Sequence, residues 1–158
     1  MPKRAILLAL AVPTLLDPAH AQSAAVQAPA AETATEDSLF PSGTAAGLDE
    51  YLWQKRIVAV FADSPNDPNF QRQIKALQDD PEALLFRDVI VLTDTDPSVE
   101  SALREKFRPR GFMLVLVGKD GQIKQRKPFP WTVRELSRAI DKTELRQQEL
   151  RDMGQRGG

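Results

Sequence analysis

Phe112 to Val117 reads FMLVLV, and Gly118 to Lys127 continues it as GKDGQIKQRK. An unbroken apolar run of this length fits a strand covered on both faces, where no polar alternation is needed. Asp120-Gly121 then supplies the residues that tolerate the positive φ angles of a tight hairpin turn. Gln122 to Lys127 sets Ile123 among polar residues, so the chain returns as a half-exposed edge strand. This strand and hairpin anchor the reading of everything around them.

Working upstream, Ile57 to Ala62 (IVAVFA) and Val89 to Leu92 (VIVL) repeat the pattern of the buried strand. Between them, Asp67-Pro68 reads as an N-cap followed by a first helical residue that needs no donor. Phe70, Ile74 and Leu77 follow at i, i+4 and i+7, one apolar stripe. Pro81 to Phe86 has room for another turn or two of helix. Asp96-Pro97 repeats the capped start, and Val99, Leu103 and Phe107 set the next stripe. Leu48, Tyr51 and Leu52 form a short helix ending near Trp53, which is expected in the core. Downstream, Thr132 to Glu135 is a capping box, with Leu136, Ala139 and Ile140 facing inward and Trp131 stapled near Leu136. From Glu144 onward the chain is charged and is expected to be a solvated extension that frays.

The resulting order is β-α-β-α-β-β-α over about 95 residues, the size of a small single domain. Two parallel β-α-β crossovers, a hairpin and a covering helix make the α/β, thioredoxin-like arrangement around a central mixed sheet. A ferredoxin-like order would need a further strand after the last helix, and none is present. The domain is expected over 47–143, with the charged extension over 144–158.

The N-terminus is read as an address. Lys3 and Arg4 precede an almost wholly apolar run from Ala5 to Leu16, too short for the roughly 20 residues of a membrane span. Asp17-Pro18 breaks it, and Ala19-His20-Ala21 is a small-x-small site, which predicts cleavage between Ala21 and Gln22. Residues 1–21 are thus expected to be a signal peptide and the product to be exported, periplasmic or secreted. Residues 22–46, rich in Ala, Ser, Thr, Pro and Glu, cannot bury enough to offset their ordering entropy and are expected to be a disordered spacer. No transmembrane segment is foreseen.

The chain of 158 residues carries net charge −1, no cysteine and one histidine. Zero cysteine excludes thiol nucleophiles, disulfide exchange and zinc–thiolate sites. The lone His20 falls within the cleaved segment. The mature chain therefore has no side chain with an unperturbed pKa near neutrality, no histidine base and no imidazole metal ligand. No metal and no cofactor are expected.

The segments Leu48 to Phe61, Phe86-Arg87-Asp88-Val89, Gly111-Phe112, Leu116 to Gly121 and Arg146-Gln147-Gln148-Glu149 carry a resemblance. They are similar to a family of exported thioredoxin-like domains of unknown function. Bacterial proteins share it with animal secreted proteins of the sushi-repeat and coiled-coil-containing kind. The resemblance covers roughly residues 47–150, and its most specific part is VLVGKDGQIK. It implies a fold and an extracytoplasmic address, and it brings no catalytic residues. A thioredoxin holds its redox centre between the first core strand and the next helix, where the helix N-terminus lowers a thiol pKa. Here that loop is Asp63-Ser64-Pro65-Asn66-Asp67-Pro68, with Pro65 and Pro68 at the two cysteine places. The proline that precedes the third strand in cis has no counterpart, since Gly111 or Phe112 falls there.

Two candidate sites remain. Asp63, Ser64, Asn66 and Asp67 lie in that strand-end loop, where open α/β sheets bind ligands. A capped turn accounts for the same residues without a ligand. Residues 63–100 hold nine acidic and three basic groups, and residues 101–128 hold two acidic and eight basic ones. Within the second block, Lys119, Lys124, Arg126 and Lys127 are candidates for an anionic ligand or an envelope or extracellular partner. Lysines that blunt an edge strand against aggregation are the plainer explanation. The basic segment has no interleaved aromatic residues, so nucleic acid is not foreseen. The sequence supports an exported, redox-inactive binding module over an enzyme-like peroxiredoxin or thioredoxin relative using carboxylate or cofactor chemistry.

Overall fold

The structure, a computed structural model, describes residues 39–41 and 48–156. The expected signal peptide and most of the expected spacer lie outside the described residues. The chain opens with a 3₁₀ turn at Leu48–Tyr51. It continues as β1 (Arg56–Phe61), α1 (Pro68–Gln78), α2 (Pro81–Leu85), β2 (Val89–Asp94) and α3 (Ala102–Phe107). It closes with β3 (Met113–Val117), β4 (Ile123–Lys127), α4 (Val133–Asp141) and α5 (Glu144–Arg156).

The sheet runs β2-β1-β3-β4. Strand β1 pairs parallel with β2, Ile57 opposite Ile90, and antiparallel with β3, Val58 opposite Leu116. The sheet is mixed, as expected, but only the first crossover joins parallel strands; the second returns β3 against the direction of β1. This order and polarity make the fold thioredoxin-like.

Alternation divides the core into two layers. Val58, Val60, Val89, Val91, Leu114 and Leu116 face Leu77 of α1, Leu84 of α2 and Val133, Leu136 and Ile140 of α4. Ile57, Ala59, Phe61, Ile90, Leu92, Val115 and Val117 face Leu103 and Phe107 of α3, with Leu48 and Tyr51 at the margin. Helices on both faces explain why β1 is buried at every position. Phe61 and Phe107 meet edge to face with centroids 6.0 Å apart.

Local signals set most boundaries. Asp67 caps α1 by accepting from the N–H groups of Asn69 and Phe70. The Thr132–Glu135 capping box closes in both directions. Three expectations fail, each for a physical reason. Asp96-Pro97 does not start a helix: Asp96 accepts from the N–H and hydroxyl of Ser98, a local turn, and Ser101 caps α3 instead. Val99 is accordingly exposed. Trp53 is exposed rather than in the core, because its backbone turns through φ 63° and swings the indole outward. Glu144–Arg156 is not an irregular extension but the helix α5, fastened by the buried Arg146.

Leu39 is fully buried against the α1 and α4 side, with Phe40 packed beside it. That pair, within the expected spacer, belongs to the core. Gln73 of α1 is also fully buried; its amide donates to the Trp131 carbonyl and accepts from the Trp131 N–H, at 2.9 and 2.7 Å. Trp131 thus approaches the core as expected, held by its backbone as well as its ring. Replacing Gln73 by Leu orphans both backbone groups and should cost about 2–3 kcal/mol. Asp67→Ala should cost about 1 kcal/mol as an ordinary N-cap loss. Urea denaturation of the two variants checks the order.

Candidate functional site

The strand-end loop that bears the redox centre in thioredoxins is here closed by its own side chains. Asp67 is spent on the two amides of α1, and the Ser64 hydroxyl accepts from the Asn66 N–H at 3.1 Å. A Cβ on Gly111, whose φ is 60°, would sit 3.9 Å from Asp63 Oδ2, so the chain before β3 runs beside this loop. Nearby, Arg104 donates to Asp94 Oδ1 and to the Ala62 carbonyl, both at 2.7 Å, and Ser101 Oγ donates to Asp94 Oδ2. These groups knit β1, β2 and α3 together and leave the loop as a set of turns. No group of three or more possible metal ligands occurs among the described residues.

The opposite end of the sheet holds the densest polar constellation. Arg56 opens β1 with its side chain 2% exposed, and Arg146 of α5 is as deeply buried. Glu149, one turn beyond Arg146, receives hydrogen bonds or ion pairs from Arg56 Nη2, Arg146 Nη1 and Lys119 Nζ, each at 3.0 Å. Lys119 also reaches Asp88 at 2.7 Å, and Arg87 forks onto both oxygens of Asp141 at 3.0 and 2.7 Å. Arg56 Nη1 donates to the Arg87 carbonyl at 2.8 Å, and the Arg146 guanidinium lies 4.8 Å from the Phe86 ring centroid. Burial pushes the Glu149 carboxyl up. The hydrogen bonds from Lys119, Arg146 and Arg56 outweigh that, and the group lies below its ordinary value.

Beside this cluster lies an open cleft of about 540 Å³. Arg56, Gly118 and Lys119 line it, with Trp53 and Lys124 and, from the α4–α5 junction, Lys142. Trp53 is held there by its backbone N–H, which donates to the Lys119 carbonyl at 2.7 Å. Lys124 is the extra residue of a β-bulge, because Val117 pairs with Ile123 while Leu116 pairs with Gln125. Its ammonium reaches Asp120 at 2.6 Å, and burial and then this contact act oppositely on that carboxyl, which ends below its ordinary value. Gly118 leaves room for this pair: a Cβ there would meet Asp120 Oδ1 and stand 2.6 Å from Lys124 Cε, so both side chains would have to shift.

The sequence candidates are therefore dispersed. Asp63, Ser64, Asn66 and Asp67 share the capped loop, whereas Lys119 and Lys124 share the cleft at the other end. Arg126 lies over the Phe107 ring on the α3 face, donating to the Phe107 carbonyl at 2.7 Å. Lys127 lies on the opposite face, 4.6 Å from the Trp131 ring centroid. The basic segment forms no single face, since its alternate strand residues diverge and Arg104 is internal. Sequence reasoning missed Arg56, Lys142 and Trp53 as cleft residues. The only local signal for the cluster was Arg146 and Glu149 at i and i+3; their partners lie far away in the chain.

Glu149→Gln should leave Arg56 and Arg146 poorly compensated and cost about 2–3 kcal/mol at pH 7. Because the folded value lies below the unfolded 4.5, the Glu149 contribution is complete above that value. It is lost as pH falls through the lower folded value. Urea midpoints between pH 7 and 3 should therefore fall less steeply for the variant than for the wild type.

A crystal structure of a reduced 2-Cys peroxiredoxin from Plasmodium vivax is similar at 15% identity and a TM-score of 0.48, over 60% of this chain and 80% of that one. The family described as "Domain of unknown function (DUF4174)" matches residues 47–149, from the approach to the 3₁₀ turn through Glu149 of the ion cluster. The chain belongs to this family of domains of unknown function, built here on a thioredoxin-like fold without cysteine.

Proposed function

We propose that this chain is an exported, redox-inactive binding module rather than an enzyme. Residues 1–21 act as the signal peptide, and residues 22–46 tether the domain, with Leu39 and Phe40 packed onto it. The observation that carries the reading is the loop Asp63–Pro68. By the resemblance to thioredoxins, Pro65 and Pro68 fall where a redox member carries its two thiols, and the turn here is tied to its own carboxylate and hydroxyl. With no cysteine anywhere in the chain, disulfide exchange has no reactant.

Binding then falls to the other end of the sheet, where Lys119 and Lys124 border a cleft of small-molecule size. An anionic ligand, or an acidic surface of an envelope or extracellular protein, complements that lining. Arg126 and Lys127 serve a partner only at the edge strand, on separate faces.

Mass spectrometry of the chain recovered from the culture or envelope should find Gln22 at the N-terminus; retention of Met1 in the recovered protein counts against export. The purified protein should turn over neither peroxide nor a disulfide substrate, and robust turnover of either would overturn the binding-module reading. Affinity capture from envelope extracts should retain a partner that is lost on charge reversal of Lys124 and Lys142, the two lysines of the cleft outside the Glu149 cluster. Equal capture by wild type and variant would remove these lysines from the reading.

A further inference from the structure

We infer that the cleft bordered by Trp53, Gly118, Lys124 and Lys142 binds a small organic anion carrying a planar ring. Trp53 is the stacking platform, and Lys124 and Lys142 are the counter-charges. The inference rests on the binding-module reading and gives it a site and a ligand class.

Four observations converge. The cleft, at about 540 Å³, lies within the roughly 300–1,000 Å³ of small-molecule sites. Trp53 is 66% exposed, so its indole contributes little to the core. Yet it occupies a left-handed turn at φ 63°, which glycine would adopt freely and a bulky residue adopts only under constraint. The constraint is visible in the bond from its N–H to the Lys119 carbonyl. A large aromatic kept at a position that suits glycine, on the wall of a cleft, is placed for contact with something outside the fold.

The charged groups are arranged in two tiers. Arg56 and Lys119 form the floor and are committed to Glu149 and, for Lys119, to Asp88 as well. Lys124 is re-aimed by the β-bulge over Gly118, whose missing side chain leaves room for it. Lys142 is exposed and has no ion-pair partner among the described residues. Against these four cations the lining carries Asp120, already bonded to Lys124, and Glu144. An incoming anion gains Lys142 outright and competes with Asp120 for Lys124. A ring on that anion gains the indole face, an interaction indifferent to the identity of the ring. The shared chemistry covers nucleoside monophosphates and aromatic carboxylates, which differ in their anionic group.

Isothermal titration calorimetry of the full chain at low salt tests this with four probes: AMP, 4-hydroxybenzoate, inorganic phosphate and acetate. At least one ring-bearing anion should bind tenfold or more tightly than the ringless anion of the same charge type, and the one that does identifies the source. Lys124→Gln combined with Lys142→Gln should weaken that binding at least tenfold. Trp53→Gly should abolish the preference for the ring while leaving the thermal midpoint equal or higher, since it relieves the left-handed strain. A fall of several degrees in that variant would mark Trp53 as a structural residue and overturn the assignment. So would equal binding of ringed and ringless anions, or no binding of any probe. In that event a partner still captured from the envelope leaves the binding-module reading standing with a different site.

Discussion

Glu149 gathers three cations, Arg56 from the first strand, Lys119 from the hairpin and Arg146 from its own helix, into one partly buried cluster. A charge taken from water is costly unless paired and hydrogen-bonded, so the cluster tolerates little rearrangement. Its geometry docks α5 across the end of the sheet. That docking in turn positions the α4–α5 junction, and the junction supplies one wall of the cleft. The hydrophobic layers would hold the sheet and the other helices without this cluster. They would not place the final helix, whose charged sequence offers little apolar surface of its own.

The two ends of the sheet use their polar groups differently. At the end where thiol chemistry resides in a redox thioredoxin, side chains satisfy backbone groups: Asp67 caps α1, and Arg104 and Asp94 lock β1, β2 and α3. At the other end, an ion-paired cluster adjoins a cleft lined by four cations, of which Lys142 alone has no ion-pair partner among the described residues. A scaffold can shed its chemistry at one end without losing stability because caps and turn bonds fill the vacated donors. Function is then free to reside wherever the surface retains unspent charge and exposed aromatic area.

Strands β1, β2 and β3 were readable from sequence because both of their faces are covered and each appears as an uninterrupted apolar run, whereas the edge strand β4 was found through its hairpin turn. Helix α4 was readable because its capping box and apolar stripe agree. Helix α3 was misplaced because Asp-Pro has the same local chemistry at an N-cap and in a turn, and only the competing Ser101 decides between them. The fate of α5 was hidden for a different reason. Its surface looks like that of a solvated helix, and what docks it is an arginine and a glutamate whose partners lie in distant segments. The loop candidates Asp63 to Asp67 were found as residues, and their capping geometry was foreseen. The cleft was half legible, Lys119 and Lys124 by charge, while Trp53 required knowledge of its backbone angle.

The pairing of Arg56 with Glu149 spans 93 positions of sequence. During synthesis the chain emerges from its N-terminal side, and contacts of such separation form late because the loop must first be closed. The first strand consequently carries a guanidinium that has no carboxylate from α5 until almost the whole domain has emerged. Completion of the fold is tied to the appearance of its last helix, and a chain interrupted before Glu149 lacks the group that brings its two extremities together.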